Sequence, residues 1–139
     1  MDHKGHEGHK GHEGYASRLE GVGREIVDSA YKVHSALGAG LLESVYEVCL
    51  AHELNKRGLS VARQVALPVI YDGLTMDAGF RLDLLVENLV VVEVKAAESM
   101  SRLFEAQVLT YLKLSDRRLG YLINFNVPHL REGLKRLVL

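Results

Sequence analysis

The stretch RLDLLVENLVVVEVK, residues 81–95, limits the possible folds more than any other part of this chain. Val90, Val91 and Val92 begin like the interior of a buried strand, and Glu93 and Lys95 then interrupt the run on either side of Val94. An unpaired buried charge costs several kcal/mol, so these two residues need a physical reason for their position.

Opposed residues of an antiparallel pair share a face of the sheet, as do residues two apart in one strand. A hairpin with a three-residue loop pivoting on Asn88 sets Asp83 opposite Glu93, Arg81 opposite Lys95 and Leu85 opposite Val91. One face then carries Arg81, Asp83, Glu93 and Lys95; the other carries Leu82, Leu84, Val86, Val90, Val92 and Val94. A two-residue loop at Glu87-Asn88 splits the two carboxylates between faces. The odd-length loop is therefore the one expected.

Two carboxylates with Cβ atoms about 5 Å apart repel and raise each other's pKa unless a cation lies between them. A hard divalent ion with oxygen ligands, Mg²⁺ or Mn²⁺, suits such a pair. Lys95, next on the same face, is placed to neutralise a phosphate oxygen or to orient an attacking water. The alternative is a polar outer face with cross-strand ion pairs, Asp83–Lys95 or Arg81–Glu93.

The surrounding pattern is mixed α and β. Val22, Ile26, Ala30, Val33 and Leu37 recur at helical spacing from about Leu19, with Gly38 placed to stop the helix. A second helix follows GAG, lined by Leu42, Val45, Cys49 and Leu50 and ended at Gly58. VARQVALPVIY reads as an edge or bulged strand because of Pro68, and Asp72-Gly73 marks a hairpin. TMDAGFRLDLLV then leads into the second hairpin. Met100, Leu103, Phe104, Gln107, Val108, Tyr111 and Leu112 share one helical stripe, LGYLINFNV reads as a strand, and the last residues are ambiguous between a turn and a short strand. The expected order is α-α-β-β-β-α-β, an α/β sandwich with a mixed sheet.

With 139 residues the chain has room for one domain with a core. A net charge of −1 excludes nucleic-acid binding by bulk electrostatics alone and leaves a local basic groove open. The single cysteine, Cys49, excludes an internal disulfide and a multi-cysteine zinc site, and its neighbours suggest a buried thiol. No apolar run approaches the roughly 20 residues of a membrane span, and no signal-peptide stretch opens the chain. A cytoplasmic location is expected. The opening MDHKGHEGHKGHEG repeats HKGHEG and sets His3, His6, His9 and His12 three apart. Residues 1–18 are therefore expected to be a disordered tail, solvated or able to chelate a transition metal, with the domain at residues 19–139. His34, His52 and His129 are scattered and read as structural.

Asp83 followed by Glu93-Val94-Lys95 resembles the signature of the PD-(D/E)XK nuclease superfamily. Gly40-Leu41-Leu42-Glu43-Ser44-Val45-Tyr46 reads G-x-x-E-x-x-Y and resembles the GxxExxY protein family, a branch of that superfamily. Gln107 and Tyr111 resemble the Q-x-x-x-Y motif of its RecB-like exonuclease branch. The likeness covers about Leu19 to Leu139; Leu82 stands where the superfamily name has proline.

The resemblance implies a restriction-endonuclease-like fold. It implies Asp83 and Glu93 as ligands of Mg²⁺ or Mn²⁺, with the Val94 carbonyl as a third. Lys95 is implied as the catalytic lysine, Glu43 as an acidic residue near the metal, and Gln107 and Tyr111 as residues holding the site or the substrate. Glu43 alone also suits a helix start, and Tyr46 suits a core. Gln107 sits within an apolar stripe and is expected to face the site, because a buried amide needs partners. DNA is the implied substrate, with RNA left open. Arg102, Arg117 and Arg118, and Arg131, Lys135 and Arg136 near the end, are the local cations available for it. The other reading is a catalytically silent member of the fold that self-assembles or binds nucleic acid, and homo-oligomer formation is expected under either.

Overall fold

The computed structural model describes the backbone of residues 2–139 and the side chains of residues 14–139. Its elements are α1 (Asp2–Leu37), α2 (Glu43–Lys56), β1 (Val61–Ala66), β2 (Val69–Tyr71), β3 (Leu74–Met76), β4 (Arg81–Val86), β5 (Val90–Lys95), α3 (Arg102–Ser115), β6 (Leu119–Asn124) and β7 (Leu134–Val138). A 3₁₀ turn, Leu130–Glu132, precedes β7. Residues 14–18, read from sequence as the end of a tail, continue α1. The side chains of His3, His6, His9 and His12 lie outside the described set, and with them the expectation of a metal-binding tail.

The sheet order is β1-β4-β5-β6-β7, with β5 and β6 parallel and the other neighbours antiparallel. The crossover between the parallel strands is α3, as a parallel pair requires. Helices cover both faces, which is why the valine run of β5 is apolar on successive residues rather than alternating. On one side, Ile26 of α1 and Tyr46, Leu50 and Leu54 of α2 pack on Val90, Val92, Val94, Ile123 and Phe125. On the other, Val108 and Leu112 of α3 pack on Leu85, Val91 and Leu122. Each of these aliphatic side chains contributes about 1.5–3 kcal/mol by leaving water.

The β4–β5 hairpin has the expected register: Leu85 faces Val91 and Leu84 faces Val92 across a three-residue loop. Glu87 and Asn88 both adopt left-handed backbone, at φ 54° and 55°. The facial sorting differs at one residue, since Leu82 packs in the α3-side cluster with Leu85 and Val91. The face with the charges is also no polar outer face: Val91 and Glu93 lie buried on it. Among the described residues neither Asp83–Lys95 nor Arg81–Glu93 forms an ion pair, and Arg81 donates instead to the Gln64 carbonyl at 3.4 Å.

VARQVALPVIY, read as one strand, is two. It breaks at Leu67-Pro68, and β2–β3 form a separate two-stranded finger turning on Asp72-Gly73, both at positive φ. Four residues, Asp77 to Phe80, balance Leu67-Pro68 on the return path. The buried face of α2 is also displaced from the expected stripe. Leu42 and Val45 are exposed and Cys49 is partly buried, while Tyr46, Glu47, Leu50, Ala51 and Leu54 are buried. Glu47 takes an inward position because it has partners there. Leu103, expected in the α3 stripe, is exposed.

Tyr46 holds the entry to α2. Its ring stacks on Phe125 at 4.6 Å, its hydroxyl donates to the Gly38 carbonyl at 2.6 Å, and the Leu41 amide donates back at 3.1 Å. Gly38 and Gly40 carry the connecting turn at φ 71° and 99°, which favour glycine. Glu43 follows as the first residue of the helix.

Candidate active site

The site lies where β4 and β5 part. Their antiparallel ladder stops at Leu84–Val92, and the next pair, Asp83 and Glu93, interlocks through side chains. The Asp83 amide donates to Glu93 Oε1 at 3.1 Å, and the Val94 amide donates to Asp83 Oδ2 at 2.8 Å. Each strand satisfies its neighbour's orphaned backbone group with a carboxylate. A strand residue's N–H and C=O point to the same side, so the Val94 carbonyl shares the side of its amide, toward Asp83. The backbone groups of Glu93 and Lys95 alternate with it and join the β6 ladder, where the Phe125 amide donates to the Lys95 carbonyl at 2.9 Å.

Burial dominates the electrostatics of Glu93. Desolvation, the Asp83 charge and a hydrogen bond to the Asp83 carboxylate push its carboxyl up from 4.5 to about 9. Without a cation Glu93 is protonated at neutral pH. Glu43, on α2, is raised by burial, pulled down by Lys95, and raised again by Asp83 and Glu47. Tyr111 is raised by burial and then by the charges of Glu93 and Asp83. Glu43 and Tyr111 thus both feel the charge of Asp83, one from α2 and the other from α3. The Lys95 ammonium sits 4.7 Å from the centre of the Phe104 ring, held by the quadrupole of its face.

The chain beyond Lys95 is pinned by Asn124, which is fully buried. Its Oδ1 accepts from the Ala97 and Asn126 amides at 3.0 and 3.1 Å, and its Nδ2 donates to the Ala97 carbonyl at 3.0 Å. Ser101 caps α3 by accepting from the Leu103 amide, which starts the helix that delivers Phe104 and Tyr111.

Gln107 does not join this network. It is half-buried on α3 and makes no hydrogen bond among the described residues, while Val108, Tyr111 and Leu112 form the buried face. Arg117 and Arg118 are at the other end of the sheet. Arg117 donates to the Asn88 carbonyl at 3.0 Å and to Asn88 Oδ1 at 2.7 Å, bracing the hairpin loop. Asn88 is five residues from Glu93, about 16 Å along a strand. Arg118 lines an apolar cleft of about 310 Å³ with Tyr15 and Leu139. Arg102 is exposed at the start of α3. Lys135 and Arg136 pair with Glu105 and Glu20. His34 Nε2 meets the Val127 carbonyl at 2.8 Å, a structural tie between α1 and the loop after β6.

Three residues absent from the sequence reading belong to the site's wall. Arg63 donates to Glu47 Oε2 at 3.2 and 2.9 Å, and Gln64 Nε2 donates to Glu47 Oε1 at 2.7 Å and to Asp83 Oδ1 at 3.3 Å. Glu47 had a signal, since it is one helical turn from Glu43 on the same face. Arg63 and Gln64 had none without the β1–β4 register, which the inserted finger conceals.

Among the described residues no three His, Cys, Asp or Glu side chains are grouped to hold a metal. The Asp83 and Glu93 carboxylates with the Val94 carbonyl nevertheless make a set of hard oxygen donors on one side of β5, and each carboxylate oxygen keeps lone pairs beyond its present hydrogen bonds. That chemistry fits a hard divalent ion rather than a soft one.

A family model of the PD-(D/E)XK nuclease superfamily matches residues 20–137, most of the chain. The chain belongs to the PD-(D/E)XK nuclease superfamily, whose nucleases generally use divalent metals. The five-stranded mixed sheet with helices on both faces is consistent with its restriction-endonuclease-like fold. No curated protein and no solved structure matches the chain.

Proposed function

We propose that the chain is a metal-dependent nuclease of the GxxExxY branch, hydrolysing phosphodiester bonds in DNA. The observation that carries this reading is the Asp83–Glu93 interlock with the Val94 carbonyl and Lys95 beside it. Asp83, Glu93 and the Val94 carbonyl would hold Mg²⁺ or Mn²⁺, which supplies charge compensation and a bound water of lowered pKa.

The chain's own residues account for the rest. Lys95, steadied over Phe104, steers the water toward phosphorus and offsets the negative charge that develops on the phosphate oxygens. The new P–O bond forms from water as the bond to the leaving sugar oxygen breaks, and the water's proton leaves with solvent or that oxygen. Glu43 borders the same space and orients donors on the attacking side. Tyr111 supplies a hydroxyl at the carboxylates, and Arg102, at the exposed start of α3, supplies a cation for the backbone. Gln107, Arg117 and Arg118 stay in this reading as secondary contacts to longer DNA. A cytoplasmic location belongs to it as well; no described helix is long and apolar enough to cross a membrane.

One observation favours the silent, self-assembling alternative. The β2–β3 finger exposes Ile70, Tyr71 and Leu74, and a lone two-stranded hairpin is marginal in water. Incubating the parent and Asp83→Ala with linear, nicked and branched DNA in Mg²⁺ or Mn²⁺ separates the two. Cleavage by the parent alone supports the enzyme; no cleavage by the parent, or equal cleavage by both, overturns it.

A further inference from the structure

Gln64 is the one residue of β1 in left-handed backbone, at φ 52°, and it is not a glycine. Strand residues with side chains avoid that region, so something fixes it there. It stands opposite Asp83. The β1–β4 ladder pairs Arg63 with Leu84 and Val65 with Leu82 and skips the Gln64–Asp83 step between them.

The conformation has two consequences. It reverses the alternation of β1, so that Val61 packs on the α1–α2 side and Val65 on the α3 side. It also aims the Gln64 amide between two carboxylates, at 2.7 Å from Glu47 Oε1 and 3.3 Å from Asp83 Oδ1. Glu47 is itself anchored. It is buried on α2, and its other oxygen is gripped by the Arg63 guanidinium, which cancels its charge. The connected order is therefore Arg63, Glu47, Gln64, Asp83. A neutral amide in the third place fixes the Asp83 carboxylate without competing for it as a charged group would.

We propose that Gln64 is a positioning residue that holds Asp83 in its ligating orientation, with Glu47 and Arg63 as its anchor. The proposal rests on the reading of Asp83 as a ligand of a divalent ion. Groups behind a metal ligand set its orientation, and their loss typically weakens metal affinity by about 10- to 100-fold. A left-handed position makes the test clean, because glycine there removes the amide and relieves the backbone together.

The test compares the parent, Gln64→Gly, Gln64→Asn and Asp83→Ala in three measurements: melting without metal, Mn²⁺ binding by titration calorimetry, and DNA cleavage over a range of Mn²⁺ concentrations. Asparagine tolerates the backbone but is too short to span both carboxylates. The expected result is that Gln64→Gly melts at or above the parent without metal. Both Gln64 variants then bind Mn²⁺ about tenfold more weakly, and DNA cleavage by Gln64→Gly recovers as Mn²⁺ is raised. Parent-like Mn²⁺ affinity in Gln64→Gly overturns the proposal, and so does a lower metal-free melting temperature, which would mark a structural role. If Asp83→Ala loses binding while Gln64→Gly keeps it, only the positioning role falls. If the parent binds no Mn²⁺, the metal-site reading falls with it.

Discussion

Asp83 and Glu93 hold each other through the backbone: the amide of Asp83 donates to the carboxylate of Glu93, and the amide after Glu93 donates to the carboxylate of Asp83. The reciprocity gathers two acids at the one point where β4 and β5 have stopped pairing. It also leaves Glu93 desolvated beside a like charge, a combination that a divalent cation relieves.

That burial makes metal-free stability depend on pH. Glu93 has a carboxyl raised from 4.5 to about 9 in the folded chain. Between those values the folded state keeps a proton that the unfolded state has lost, so the favourable contribution is full below 4.5 and is lost as pH rises to about 9. The slope is at most about 1.4 kcal/mol per pH unit while Glu93 is the titrating group. Melting temperatures of the metal-free protein should fall across this window. Glu93→Gln should flatten the fall.

Metal should act in the opposite direction. At a hundredfold excess over its dissociation constant, Mn²⁺ adds about 2.7 kcal/mol, a rise on the order of 10 °C for a chain of this size. Thermal unfolding of the parent should show it, and Asp83→Ala should show none.

Tyr46→Phe tests the anchor of Glu43. It removes the hydroxyl that bonds Gly38 and Leu41 without changing the stack on Phe125. A loss of about 1–2 kcal/mol in denaturant unfolding is expected, with the turn before α2 loosened.

Arg117→Ala tests the placement of the basic residues. Its guanidinium braces the Asn88 loop, so the variant should lose about 1 kcal/mol of stability. Its affinity for short duplex DNA, read by anisotropy, should change by less than about twofold, because a surface cation outside the contact region adds little.

The hairpin and its paired acids were legible because parity is strict: Leu85 faces Val91, and a one-residue slip would have scattered the charges. The three helices and the strands β4, β5 and β6 followed from the same periodicities, whereas the separate β2–β3 finger did not. What escaped depends on contacts distant in sequence. Gln64 meets Asp83 only when the β1–β4 register is known, and the β2–β3 finger hides that register by its uneven flanks; Glu47 reaches Gln64 only when α2 is packed on β1. The inward side of α2 was misjudged because a charged residue, Glu47, takes a buried place that hydropathy assigns to Val45. Gln107 and Arg117 show the limit of residue type as a guide: it does not say that Gln107 is half-buried beside Val108, or that Arg117 braces Asn88.

Single-turnover cleavage of an end-labelled duplex in Mg²⁺, by the parent and by Lys95→Ala, tests the central claim most directly. Lys95→Ala should keep the Mn²⁺-induced rise in melting temperature and lose roughly 100-fold or more in rate, the usual scale for a group that stabilises developing charge. A Lys95→Ala protein that cleaves as fast as its parent would contradict the account.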